Sequence, residues 1–251
     1  PEDYRVMEYV YRDGVYHDNY QAIRAAQQAL GGDGLVMVRV AKGPIQEILY
    51  QMTGLERFAI DYYERRACID SLYEVMVQRY DELYDLAAQA FRRAAEMNPF
   101  NRDARLNLAQ TLSIAEKFDE LIPAARDLLS VDPRNAFGWI LLTRALSETG
   151  QTEAANETFN EYQAIGYEIE NISVQPDPDG GATLTGSLNN TGLEPGTTVA
   201  LRFHLGGLDG TEIGTVEIQV QAPAVDQSQL FRGEFSSPEA VSGYTYEVIS
   251  P

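Results

Sequence analysis

His17 and His204 are the only histidines in the chain, and Cys68 is its only cysteine. A nucleophilic triad would need one of these imidazoles to meet a serine or Cys68 together with an orienting carboxylate, and no motif brings such a set together. Both histidines are therefore expected at the surface or a strand edge, and Cys68, within a helical apolar pattern, in a core. No HExxH helix or P-loop is present, and Gly31-Gly32-Asp33-Gly34 is short and lacks a following phosphate-binding lysine. Asp177-Pro178-Asp179-Gly180 and Asp209-Gly210 offer oxygen ligands for a hard cation. Neither builds a complete calcium loop, and Asp and Gly at these positions make turns without an ion. Asn156, Asn171 and Asn189 begin glycosylation-like triplets, a pattern short enough to arise by chance. Any catalytic pair chosen from 38 acidic residues would be arbitrary. The expectation is a noncatalytic protein with no cofactor and no metal; a hydrolase with a carboxylate-based site is the remotest class.

Composition narrows the partners. A net charge of -19 opposes nonspecific binding to nucleic acid or an anionic membrane surface. At 251 residues and 44% hydrophobic content the chain has enough apolar material for one or two domains. A lone cysteine excludes an intrachain disulfide, and no apolar run is long enough to span a bilayer. The chain begins at Pro1 rather than methionine, which leads to the expectation that something was removed before it. A signal sequence, a lipid anchor and a transmembrane helix are the candidates.

Periodicity divides the chain into three, with expected boundaries at residues 1–81, 82–166 and 167–251. The first part reads as a mainly helical extension. Residues 18–30 carry Ala22, Ala25, Ala26, Ala29 and Leu30 on a helical period, and Val36 to Val40 suggest a strand. Tyr4, Tyr9, Tyr11, Tyr16 and Tyr20 are expected to pack one face against the next helix. A helix from Leu55 toward Arg79 should bury Leu55, Phe58, Tyr62, Ile69, Leu72, Met76 and Tyr80, with Asp81 capping a following helix that faces inward through Ala87, Phe91 and Ala94.

Asn98-Pro99 and Asp132-Pro133 place their prolines 34 residues apart. The intervening and following segments read as paired helices with small residues where helices approach. Leu108-Ala109, Leu112, Leu121, Ala125 and Leu128 fall in one unit; Trp139, Leu142, Leu146, Gly150, Ala155 and Phe159 fall in the next. This pattern resembles the tetratricopeptide repeat family, a helix-turn-helix unit of about 34 residues. It covers two full repeats and one partial repeat. Leu121 and Thr143 depart from it, standing where the family prefers small residues, and are expected to push or shift the helix packing. Pro123 requires its helix to begin near Asp119.

After Gly166 the period changes to two. Strands are expected over residues 167–174, 182–188, 198–205, 214–220, 229–235 and 244–249, making a small antiparallel sandwich or open barrel. Leu184 to Gly192, Phe203-x-Leu205, Asp209-Gly210 and Phe231-x-Gly233-x-Phe235 resemble the immunoglobulin-like FxLyD family of bacterial envelope proteins, with Gly206-Gly207 interrupting its motif. The expected fold class is thus multidomain α plus β: a short α-helical repeat solenoid followed by an immunoglobulin-like sandwich.

The repeat resemblance also implies where a partner would sit. Family ligand-facing positions fall on Asp103, Leu106, Gln110, Ser113 and Ile114 of one unit and on Phe137, Ile140, Arg144, Ser147 and Glu148 of the next. Phe137 and Ile140 offer apolar contact, and Arg144 offers directed donors. The expectation is a protein-interaction or assembly module that binds a protein or peptide, in the bacterial envelope, with the cytoplasm as the alternative. A carbohydrate-binding or adhesion protein is the second class. It needs an exposed aromatic platform on the β-domain, for which Tyr244 and Tyr246 are the candidates.

Overall fold

The computed structural model describes residues 2–16, 20–30, 43–177 and 180–250 and divides the chain into two compact units, residues 1–85 and 86–251. His17, Gly31 to Gly34 and the strand expected at Val36 to Val40 lie outside the described residues.

The first unit contains α1 (Glu2–Asp13), α2 (Tyr20–Leu30), α3 (Pro44–Glu47) running into a π-helical turn (Ile48–Thr53), α4 (Leu55–Glu64) and the first part of α5 (Arg66–Met97). Its core is Tyr4, Ile48, Ile69, Leu72, Met76 and Tyr80, with Phe58 and Cys68 packed at the margin. The tyrosines pack as amphipathic residues do, ring inward and hydroxyl on a carboxylate. Tyr4 donates to Asp61 Oδ2 at 2.9 Å, while Tyr11 and Tyr80 donate to the two oxygens of Glu47, each at 2.6 Å. Tyr9 is exposed.

Two expectations for this unit are corrected. The helix that starts at Leu55 stops at Glu64, so Leu55 and Tyr62 are exposed rather than part of the buried stripe. Asp81 caps nothing and lies on the exposed side of α5. No glycine or proline interrupts residues 66–97, and Leu72, Met76, Tyr80, Tyr84, Ala88, Phe91 and Ala95 recur at spacings of three or four throughout. With that stripe unbroken the backbone has no reason to leave the helix at residue 81. The inward positions at its end are accordingly Ala88, Phe91 and Ala95, one residue out of phase with Ala87 and Ala94. The boundary expected at 81/82 falls inside α5.

The second unit continues with α6 (Arg102–Ile114), α7 (Phe118–Val131), α8 (Ala136–Glu148) and α9 (Thr152–Ile165). Asn101 and Asn135 are equivalent N-caps, accepting from Ala104 N at 3.0 Å and Gly138 N at 2.8 Å. Leu108, Ala109, Leu112, Leu121, Ala125, Leu128, Leu142, Leu146 and Ala155 are buried in one core, as the repeat pattern requires. Leu121 is fully buried there despite its size. Pro123 lies early in α7, which begins at Phe118. Trp139 is half-buried, stacked on Tyr162 at 6.2 Å with its indole N–H donated to Pro133 O. Phe159 is exposed on α9.

Six antiparallel strands follow: β1 (Tyr167–Pro176), β2 (Ala182–Asn190), β3 (Thr198–Gly206), β4 (Glu212–Gln221), β5 (Ser228–Phe235) and β6 (Gly243–Ser250). They form two three-stranded sheets, ordered β1-β2-β5 and β4-β3-β6. The period-two pattern places Leu184, Leu188, Leu201, Phe203, Leu205 and Phe231 between the sheets. Phe203 lies 5.4 Å from Tyr246 and 6.2 Å from Tyr244, ring centre to ring centre. Asn190, fully buried, accepts from Leu193 N at 2.7 Å and donates to the carbonyls of Leu193 and Pro223. It thereby holds the loop after β2.

Gly206, which looked like an interruption, has a packing reason. A Cβ at this position would overlap the ring of Phe100 from the Asn98-Pro99 loop. Asn98 also donates to Ser242 Oγ at 3.0 Å, and Asn101 bridges to Tyr244. Gly206→Val should therefore overpack this contact and cost about 1–3 kcal/mol. Denaturant unfolding followed by the single tryptophan measures it, and a loss indistinguishable from zero would show that Phe100 yields freely.

Stability of the first unit should depend on pH through Asp61. Burial alone would raise this carboxyl, but hydrogen bonds from Tyr4 and Arg57 and the charges of Arg57 and Arg65 outweigh it and hold the pKa below its ordinary value. A depressed folded pKa gives stability that is present above the unfolded value of about 3.9 and lost as pH falls through the folded value. The stability difference between wild type and Asp61→Asn should be constant at neutral pH and shrink in acid, and an equal difference at every pH would refute the assignment.

Candidate partner-binding surface

The two full repeats present equivalent first helices, α6 and α8, and the candidate residues recur along them at the repeat spacing. Ile114, Phe137 and Ile140 are exposed apolar side chains, 62%, 42% and 53% accessible. Leu106 and Gln110 are half-buried, Leu106 against the repeat core. Arg144 is exposed, and its position is set from two sides. One guanidinium nitrogen donates to the buried Ser113 Oγ at 3.3 Å, and the carbon of the group lies 5.2 Å from the ring centre of Phe118. This contact ties α8 to α6. Phe118 was not among the sequence candidates; its position at the start of α7 gave no signal, because only the turn after α6 brings it beneath Arg144.

Three candidates remain, of which Ser147 is exposed on α8. Asp103, in the first turn of α6, accepts from Arg102 Nη1 at 3.0 Å and lines a cleft with residues of β1 and β6. Glu148 is exposed at the far end of α8. The candidate residues thus combine exposed apolar side chains with one oriented cation, an acid at the start of α6 and an acid at the end of α8.

Ile114, Phe137 and Ile140 are exposed, while Asp103 borders the sandwich. The two loops that carry the prolines hold it. Arg134 N donates to Tyr246 Oη at 3.1 Å, Ile169 N donates to Arg134 O at 3.2 Å, and the Arg134 guanidinium lies over Tyr167 at 5.1 Å. Behind these contacts, fully buried Asp132 accepts from Arg102 Nε at 2.7 Å, Arg102 Nη2 at 2.6 Å and Asn135 Nδ2 at 2.8 Å. Burial, reinforced by the charge of Asp132, pushes the Tyr246 hydroxyl well above its ordinary pKa. Burial raises Tyr244 too, although Arg102 opposes it. Both tyrosines are buried, so the exposed aromatic platform that a carbohydrate-binding β-domain would need does not exist at these positions.

Elsewhere in this unit, a cleft of about 370 Å³ between α5, α6 and α7 is lined by none of the candidate residues. Its arginines are already paired, Arg92 with Glu120 at 3.0 Å and Arg105 with Asp127 at 2.9 Å. His204 lies at a half-exposed position beside Glu212, at 3.0 Å. Asp209 accepts from Thr211 N and Oγ1 within its own turn, at 3.0 and 2.7 Å. Among the described residues no cluster of three or more potential metal ligands occurs, and no helix is long and apolar enough to cross a membrane.

No family model matches the chain, and no curated protein matches it. Solved structures of MamA are similar. MamA AMB-1 in its C2221 form is 24% identical, with 63% of this chain and 98% of that one covered, at a TM-score of 0.32. MamA MSR-1 is 22% identical, with 64% of this chain and 97% of that one covered, at the same score. So low a score says nothing about activity or partners here. The chain's own contacts define the architecture, tetratricopeptide-like helical repeats followed by a β-sandwich.

The ion pair behind the joint should be the costliest single feature of this region to break. Arg102→Ala would leave Asp132 charged, buried and uncompensated, a change that costs about 3–5 kcal/mol. Chemical denaturation measures it; a cost below about 1 kcal/mol, the range of an exposed pair, would mean that water reaches Asp132.

Proposed function

We propose that the chain is a noncatalytic protein-interaction or assembly module that binds a peptide or partner segment on the face formed by α6 and α8. The observation that carries this reading is the set of exposed Ile114, Phe137 and Ile140 beside an Arg144 already fixed by Ser113 and Phe118. Apolar side chains left in water at helix positions that face a ligand gain when a partner covers them. An arginine whose rotamer is held in advance loses less entropy on binding. Asp103, Leu106, Gln110 and Glu148 complete the proposed surface. The division into a helical extension (1–81), repeats (82–166) and sandwich (167–251) belongs to the same reading. So does an envelope location, which the FxLyD-like strands support, with the cytoplasm as the alternative.

Peptide-display selection against the full chain tests it. Selected peptides should bind the wild type and lose affinity by about thirtyfold or more for Phe137→Ala/Arg144→Ala, the size of one hot spot of about 2 kcal/mol. The helical circular dichroism of the double variant should be unchanged. Peptides that bind both proteins equally would remove this face from consideration.

A further inference from the structure

Each edge strand of the sandwich but one is protected. β1 carries a bulge between Glu170 and Ser173 and ends at Pro176. β6 is engaged by the repeat loops through Tyr244 and Tyr246. On β4, Glu217 and Glu212 stand out from the sheet and are tied to Arg202 and His204 of β3, next to a bulge at Leu205/Gly206. Bulges, prolines, charges and covering elements are the devices by which proteins prevent an open edge from pairing with another strand.

β5 has fewer of them. It pairs with β2 from Phe235 to Ser228 with no shift in register and contains no proline or lysine. Its two charges, Arg232 and Glu234, neutralise each other at 3.1 Å. Leu230 is 77% exposed in the middle of the strand. The Leu230 carbonyl accepts from the Gln229 side-chain amide at 3.0 Å, in the place of a neighbouring strand's N–H. Along this half of β5 a cleft of about 420 Å³ lies between the edges of the two sheets, lined by residues 218–221 of β4 and 229–232 of β5, with Ile218, Val220 and Phe231 buried in the core beneath it. Toward the other end the sheets close, with Gly233 against Ile218 and Gly214 against Phe235.

We propose that the open half of β5 is a self-association edge whose occupant is β5 of a second copy, paired antiparallel about a two-fold axis at Leu230. A two-fold contact sets each residue against its symmetry mate or a reciprocal pair. In this register Leu230 meets Leu230 of the partner subunit, so that two exposed leucines bury each other. Ser228 stands opposite the partner's Arg232, which brings no like charges together. The pairing keeps the faces in phase: Phe231 and Gly233 face the core in both copies, and Leu230 and Arg232 face outward in both, so the two β1-β2-β5 sheets become one. The contact is short compared with the roughly 800 Å² per partner of a standard interface, so the dimer is weak and concentration-dependent.

Sedimentation velocity of the full chain from micromolar to millimolar concentration reads the equilibrium. Wild type should shift toward dimer, while Leu230→Arg, which sets two cations face to face, should weaken dimerisation on the order of tenfold or more with an unchanged circular dichroism spectrum. A second variant fixes the register. In a Cys68→Ala background, Leu230→Cys should form a covalent dimer under mild oxidation, because paired residues lie within disulfide range. Glu153→Cys on α9 should not. Monomer at every concentration with no Leu230→Cys crosslink would overturn the proposal and leave the edge to an extended strand of another protein. Dimerisation unaffected by Leu230→Arg would also overturn it and place self-association elsewhere. Neither outcome bears on the peptide face of α6 and α8.

Discussion

The architecture of the second unit depends on one buried carboxylate. Asp132 has no access to water, and a charge in that position is tolerable only if the protein replaces its hydration shell. Arg102 and Asn135 supply hydrogen bonds to its Oδ2, whereas Oδ1 is buried without a hydrogen-bond partner. Arg102 belongs to the first turn of α6, and Asn135 caps α8, so pairing this one oxygen fixes the starts of both first helices together. Burial alone would lower the pKa of the Arg102 guanidinium; the charge of Asp132 outweighs that effect and raises it.

From that point the sandwich is placed. Tyr246 and Tyr244 of β6 bury their rings against Phe203 and reach the repeat loops on either side of Asp132. Gly206 lets Phe100 approach where any side chain would block it. Gly166, at φ 75°, turns the chain from α9 into β1, and its carbonyl accepts from Thr191, Gly192 and Leu193. The β-structure closes its own core but is fastened to the repeats by their loops. Because attachment uses the loops, Phe137, Ile140 and Arg144 remain accessible, which is the physical basis for treating that face as a binding surface.

Repetition also allows like positions to be compared. Glu116 ends the turn after α6 with φ 55°, and the corresponding position after α8 is Gly150 at φ 77°. Both turns close by the same bonds, Lys117 N to Leu112 O at 2.9 Å and Gln151 N to Leu146 O at 2.8 Å. The first repeat therefore keeps a side chain in the left-handed region that the second repeat gives to glycine, a local strain held by the surrounding helix packing.

Local periodicity determined much of this fold. A spacing of 34 residues between Pro99 and Pro133, with small residues at the close approaches, specified the helical pairs. Alternation after Gly166 specified the six strands, because side-chain direction repeats every 3.6 residues in a helix and every two in a strand. Where the sequence pattern and the structure diverge, the cause is long-range. Asp81 has the chemistry of a cap, but an unbroken apolar stripe carries α5 through it. Tyr244 and Tyr246 have the chemistry of an exposed aromatic platform, but β6 turns them toward Phe203 and the repeat loops. Arg144 was legible as a candidate, whereas its support by Phe118 and Ser113 required two helices to meet. The pairing of Arg102 with Asp132, 30 residues apart, left no periodic trace at all. Its partners come from different helices, and only the packed chain, by excluding water from Asp132, makes that pairing necessary.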